Sequence, residues 1–163
     1  MISFPSSRCA RAIGVLLFSC FTTLAAAIDP SNDWPAWRGP TRDGIAAPGQ
    51  NPPIHWSETE NIAWKTPIPG RGHSSPTVVG NQIFLATADE SRGSQSVVCF
   101  DRATGKLIWQ KEVHAQGADK GHHNNSTAAS SNVACDGDQL YINFLNNGAV
   151  HTTALSSDGK ILW

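Results

Sequence analysis

The sequence predicts an all-β fold made of four-stranded antiparallel units repeated in tandem, and three observations carry that expectation. Tryptophan ends three similar short apolar segments that read as strands, Asn61–Trp64, Lys106–Trp109 and Lys160–Trp163, at spacings of 45 (109 − 64) and 54 (163 − 109) residues. Between them, short runs of β-branched and aromatic residues alternate with Gly- and Asp-bearing turns. No segment carries a helical period. A period near 40–50 residues with about four strands in each unit is the signature of propeller blades. Each blade sheet covers one face of its neighbour, and closing the ring buries both.

The chain opens on a different pattern. Arg8 and Arg11 precede an apolar run from Ile13 to Phe18, which fades through Thr22 and Thr23 into Ala25-Ala26-Ala27, an A-x-A cleavage signature. Residues 1–27 thus read as a signal peptide, with Ile28 as the mature start and a periplasmic or extracellular location. The uncharged stretch from Ala12 to Ala27 falls short of the roughly 20 apolar residues of a spanning helix, so no transmembrane segment is expected after cleavage. A lipoprotein site at Leu17-Phe18-Ser19-Cys20 is the weaker alternative, because bulky Phe18 suits it poorly and the alanine run is left unexplained.

Cleavage removes two arginines and no acid, which leaves a net charge of −3 (ten basic minus thirteen acidic residues). Without a basic patch, nothing neutralises phosphates, and no nucleic acid is expected as partner. Of four cysteines, Cys9 and Cys20 leave with the presequence, while Cys99 and Cys135 remain. One pair does not make a disulfide scaffold.

Residues 28–60 form an N-terminal arm, and 61–163 the repeated region. Its first blade, at about 70–113, reads as strands near 75–79, 82–87, 96–101 and 106–113. Thr77-Val78-Val79 and Ile83-Phe84-Leu85 flank Gly80-Asn81, a strong hairpin signal. The second blade, at about 126–163, has counterparts near 131–135, 139–144, 149–155 and 160–163, with Asp136-Gly137-Asp138 in the first turn. In both blades a glycine, Gly105 or Gly159, precedes the last strand, where a left-handed residue finishes the turn.

Cys99-Phe100-Asp101-Arg102-Ala103-Thr104-Gly105-Lys106-Leu107-Ile108-Trp109 resembles the tryptophan-docking motif A-x-D-x-x-T-G-x-x-x-W of the PQQ-like β-propellers, a family holding both quinoprotein dehydrogenases and non-catalytic assembly factors. A second, degenerate copy keeps Ala154, Gly159 and Trp163 but has Ser156 where Asp is usual. The segment from Asp33 through Trp34, Trp37 and Arg38 to Gly44 is similar to the start of a secreted bacterial subgroup. That subgroup continues with a Ser-Ser-Pro lead-in, here Ser74-Ser75-Pro76, and a His…Asn-Ser-x-Ala-Ser segment, here His122, Asn125, Ser126, Ala128 and Ser130. The resemblance implies an incomplete propeller of about two blades. Further blades or other chains would be needed to close it, and the uncovered sheet faces are expected to leave apolar strands and unpaired edges open.

The motif also has a mechanical reading. Burying a Trp removes roughly 150–250 Å² from water, about 4–6 kcal/mol gross. Trp109 is thus expected to clamp blade to blade, with Asp101 and Thr104 hydrogen-bonded across the turn and Gly105 supplying its backbone angle. Cys99, in the alanine slot, reads as a small packing residue.

Among other polar residues, His122 and His123 lie with Asn125 and Ser126 in a long connection, where a ligand contact is possible. With Asp119 they have donor chemistry for a metal, but adjacent residues rarely face one site, and no metal is expected. Trp34 and Trp37 suit either a sugar platform or a strap for the arm, the strap being the simpler reading. Gly70-Arg71-Gly72-His73-Ser74 lacks the Gly-Lys-Ser/Thr ending of a phosphate loop. The resemblance implies that a PQQ-dependent dehydrogenase would show an adjacent cysteine pair and acidic and amide Ca²⁺ ligands, and no such pair occurs. The expectation is therefore a non-catalytic module with no cofactor, binding a protein or other extracytoplasmic partner. A quinoprotein dehydrogenase for an alcohol or sugar, using PQQ with Ca²⁺, is the alternative.

Overall fold

A computed structural model describes residues 27–119, 123 and 125–163. The segment read as a presequence lies, apart from Ala27, outside the described residues. Among the described residues seven strands form two antiparallel sheets that do not close into a ring. The first sheet holds β1 (Thr77–Val79), β2 (Gln82–Asp89), β3 (Ser94–Asp101) and β4 (Leu107–His114) in that order. The second holds β5 (Ala134–Cys135), β6 (Gln139–Asn146) and β7 (Ala149–Ser156). This is the all-β, incomplete-propeller architecture.

Alternation decides which side chains meet. Phe84, Ala86 and Ala88 of β2 and Val97 and Cys99 of β3 point to the second sheet, where Leu140, Ile142, Phe144 and Leu155 meet them in one buried core. The intervening residues Leu85, Val98 and Phe100, with Ile83, form a smaller cluster on the other face of the first blade.

That second cluster departs from the expectation of uncovered faces. Leu85, Val98 and Phe100 are buried because the chain before β1 runs along this side. Thr87 donates its hydroxyl to the Pro69 carbonyl, Arg71 pairs with Ala88, and Trp64 reaches the Arg102 carbonyl. Among the described residues the outward face of the second blade has no such cover: Val150 is 71% and Trp163 63% exposed.

Three further differences have local causes. No strand forms at 61–64, because that stretch pairs with no sheet edge; Asn61 Nδ2 donates to the His55 carbonyl (2.8 Å) and Trp64 to the Arg102 carbonyl. The strand expected at 160–163 is a single bridge, Leu155 to Ile161, supported by Ala154 N–H to the Trp163 carbonyl (2.9 Å) and Leu162 N–H to the Ala154 carbonyl (2.8 Å). The strand expected at 131–135 pairs over Ala134–Cys135 only, since neighbouring groups are used elsewhere. The Val133 carbonyl accepts the Thr77 hydroxyl (2.5 Å), and Asn132 Oδ1 accepts the Ser75 N–H (2.7 Å).

Candidate functional site

Two tryptophan docks tie the repeats together. Trp64 donates its indole N–H to the Arg102 carbonyl (2.9 Å), and its ring lies over Gly105. A Cβ at Gly105 would sit 2.4 Å from Trp64 Cε3, so this glycine gives room to the ring as well as its positive φ of 69° to the turn. The turn is built by Asp101. Its Oδ1 accepts the Thr104 N–H (2.8 Å) and hydroxyl (2.7 Å), while Oδ2 accepts from Asn81 Nδ2 (2.6 Å). The Thr104 hydroxyl and N–H, followed by the Asn81 amide, hold the Asp101 carboxyl below its ordinary value despite slight desolvation.

The second dock repeats the first one blade further on. Trp109 donates to the Ser157 carbonyl (3.1 Å), and its ring covers Gly159, whose φ is 86°. Ser156 stands where Asp101 stands in the first turn: its hydroxyl binds the Asp158 carboxylate and accepts the Lys160 N–H (3.2 Å). The shorter side chain thus recruits Asp158 to close the same turn. Trp163 closes no third dock among the described residues; its ring lies 6.2 Å from that of Tyr141. Ala154, opposite Tyr141 in the register, is buried.

Cys99 is buried opposite Trp109 in the β3–β4 register. Burial pushes its thiol up to about 12, so it is a packed thiol and not a thiolate nucleophile at neutral pH. Cys135 is also free and also raised by burial.

The connection after β4 is tied to the second blade at its start. Ala118 bridges Asn146, the Asn147 N–H reaches the Gly117 carbonyl (2.8 Å), and the Gly148 N–H reaches Asp119 Oδ2 (2.9 Å). Further along, the structure brings His123, Asn125 and Ser126 into one turn. His123 Nδ1 accepts the Asn125 N–H (3.1 Å), and the Ser126 hydroxyl donates to the His123 carbonyl (2.9 Å). These groups serve each other. His122 lies outside the described residues.

Two arrangements were invisible in the sequence. Gln95, fully buried at the blade seam, donates to the Ala128 (2.7 Å) and Leu145 (3.1 Å) carbonyls and accepts from Asn146 Nδ2 (3.0 Å). The arm also reaches both blades at their innermost strands. Trp34 pairs with Val78 of β1 (2.7 and 2.9 Å), and the Pro35 carbonyl accepts the Cys135 N–H of β5 (2.8 Å). Asp33 Oδ1 accepts the Gly80 N–H (2.8 Å), while Arg102 binds the Asn32 (3.1 Å) and Gly80 (3.2 Å) carbonyls. Between arm and blade lies a cavity of about 430 Å³, lined by Asp33, Trp34, Gln50, Val78 and Arg102 among others. Trp37, 64% exposed, carries the Arg38 guanidinium 5.6 Å from its ring centre.

Among the described residues no group of three or more His, Cys, Asp or Glu is placed to hold a metal ion, and no helix is long and apolar enough to cross a membrane. A family model described as outer membrane protein assembly factor BamB matches residues 33–163. No curated protein matches the chain.

Proposed function

The chain belongs to the PQQ-like repeat family represented by that model, and from this premise we propose that it is an exported, non-catalytic binding or scaffold module. The observation that carries the reading is how its polar side chains are used. Asp101, Thr104, Ser156 and Asp158 close the two turns on which tryptophans dock. Gln95 and Asn146 join the blades, while Asp33 and Arg102 fasten the arm. Their hydrogen-bonding capacity is spent on architecture. The family description, an outer membrane protein assembly factor, points in the same direction. The partner is an extracytoplasmic protein, met through loops such as the one bearing His123, Asn125 and Ser126.

The rival reading is a PQQ- and Ca²⁺-dependent dehydrogenase. Titration of the full chain with pyrroloquinoline quinone and Ca²⁺, followed by fluorescence, separates the two. The scaffold reading expects no saturation; saturable binding tighter than about 10 μM, worth about 7 kcal/mol, would refute it. Export is tested by mass spectrometry of the expressed protein, expected to start at Ile28 outside the cytoplasm. A retained Met1 in the cytoplasmic fraction would refute export, and a lipid group on Cys20 would favour the lipoprotein route.

A further inference from the structure

His114 ends β4 at the seam between the blades. Its ring meets that of His151 on β7, with centroids 5.2 Å apart and planes at 65°, and meets Phe144 on β6 edge-on at 6.0 Å. Its Nε2 is buried and has no hydrogen-bond partner among the described residues. Buried polar atoms without partners are uncommon and need a reason. A neutral imidazole leaves one ring nitrogen bare at modest cost, whereas an imidazolium carries two N–H donors that both need acceptors.

Among the described residues, nothing accepts a hydrogen bond from the Nε2 of His114. From β7 the ring faces His151, which supplies no negative charge, and from β6 it faces Phe144, which is uncharged. Its register partner on β3 is Gln95, whose oxygen is committed to Asn146. On β4 itself Glu112 binds Arg92 (3.1 Å), and in the following connection Asp119 is bound to the Gly148 N–H. Burial first, and His151 second, hold the His114 pKa below its ordinary 6.5. His114 also opens the connection that Ala118, Asn147 and Gly148 tie to the second blade.

We propose that the contact of His114 with His151 is an acid-sensitive clasp between the blades, closed while the His114 ring is neutral and released as that ring takes up a proton in mildly acidic solution. Release frees the connection that leads to His123, Asn125 and Ser126. The sign follows from linkage. With the folded pKa below 6.5, the opened state binds more protons, so the closed state is fully stable above 6.5 and loses stability as pH falls through it.

Hydrogen exchange of the full chain, expressed as protection factors between about pH 7.5 and 5.5, tests the proposal at the Ala118, Asn147 and Gly148 amides. Protection there is expected to fall toward the roughly tenfold limit that one linked proton allows in the unit below 6.5, while the β2–β3 amides stay constant. His114→Phe keeps a ring in place without a titrating group and is expected to abolish the fall. Should that variant not fold, His151→Gln, at an exposed position, is expected to reduce it. An equal fall in the wild-type and variant chains, or none in the wild type, would overturn the proposal.

Discussion

Adding one methyl group at Gly159 probes the dock between the blades. Gly159 has a φ of 86°, and a Cβ there would lie 2.9, 3.0 and 3.2 Å from three ring atoms of Trp109. An L-residue in this backbone region costs about 1–2 kcal/mol. Overpacking against a fixed ring adds about 1–3 kcal/mol, so Gly159→Ala is expected to cost about 2–5 kcal/mol in all. Gly80 supplies the control: its φ is 56° and nothing lies within 4 Å of its Cβ position, so Gly80→Ala carries only the backbone part. Urea melts of the full chain measure both, provided the denaturant slope is unchanged. The two losses are expected to differ by about 1–3 kcal/mol, and that difference to vanish in a Trp109→Ala background, where the ring is gone. Equal losses in the wild-type background, or a difference that survives removal of the ring, would refute the claim that Trp109 docks on Gly159.

Other consequences follow from the same contacts. Gln95→Leu keeps the volume but strips partners from the Ala128 and Leu145 carbonyls, at about 1–3 kcal/mol for each buried group left unmade. At about 2–4 °C per kcal/mol for a chain of this size, a thermal melt unchanged within 2 °C would contradict this. The Asp101 carboxyl is held below 3.8 mainly by Thr104, so its stabilisation is present above 3.8 and lost as pH falls below it. Asp101→Asn is therefore expected to be less stable than wild type at neutral pH, with melts converging in acid; a gap independent of pH would count against it. Cys99, buried and with its thiol raised to about 12, is expected to escape alkylation by iodoacetamide in the folded chain and to react in urea, as read by peptide mass mapping. Labelling of Cys99 at equal rates in both states would show the seam to be open.

The strands of the first blade were legible because alternation and turn chemistry agree there: Gly80-Asn81 and Asp101-Arg102-Ala103-Thr104-Gly105 each punctuate an apolar run. The limits of β6 were less so. Asn147-Gly148, with φ of 50° and 75°, is a strong hairpin turn, and it carries β6 to Asn146, past the expected end at 144. The stretch 61–64 misled for the opposite reason, since its apolar residues look like a strand but no edge receives them. Which turn each tryptophan meets is a matter of tertiary placement. Spacing marks Trp64 and Trp109 as equivalent, yet only the structure sets Trp64 on Gly105 and Trp109 on Gly159. Gln95 and Asn146 gave no sign at all. A polar residue in a strand ordinarily faces water, and these are buried only because the second blade covers them. The arm's hold on β1 and β5 through Trp34 and Pro35 is equally long-range, and no local pattern encodes it.

Tryptophans reaching forward from one repeat to the turn of the next tie the blades together. Nuclear Overhauser contacts from the indole N–H protons of a selectively ¹⁵N-tryptophan-labelled full chain report this directly. The Trp109 indole is expected to contact the α protons of Gly159, and the Trp64 indole those of Gly105, with both glycines shifted upfield by the rings above them. Contacts from Trp109 to Gly105, the turn of its own repeat, or none to Gly159, would contradict the account.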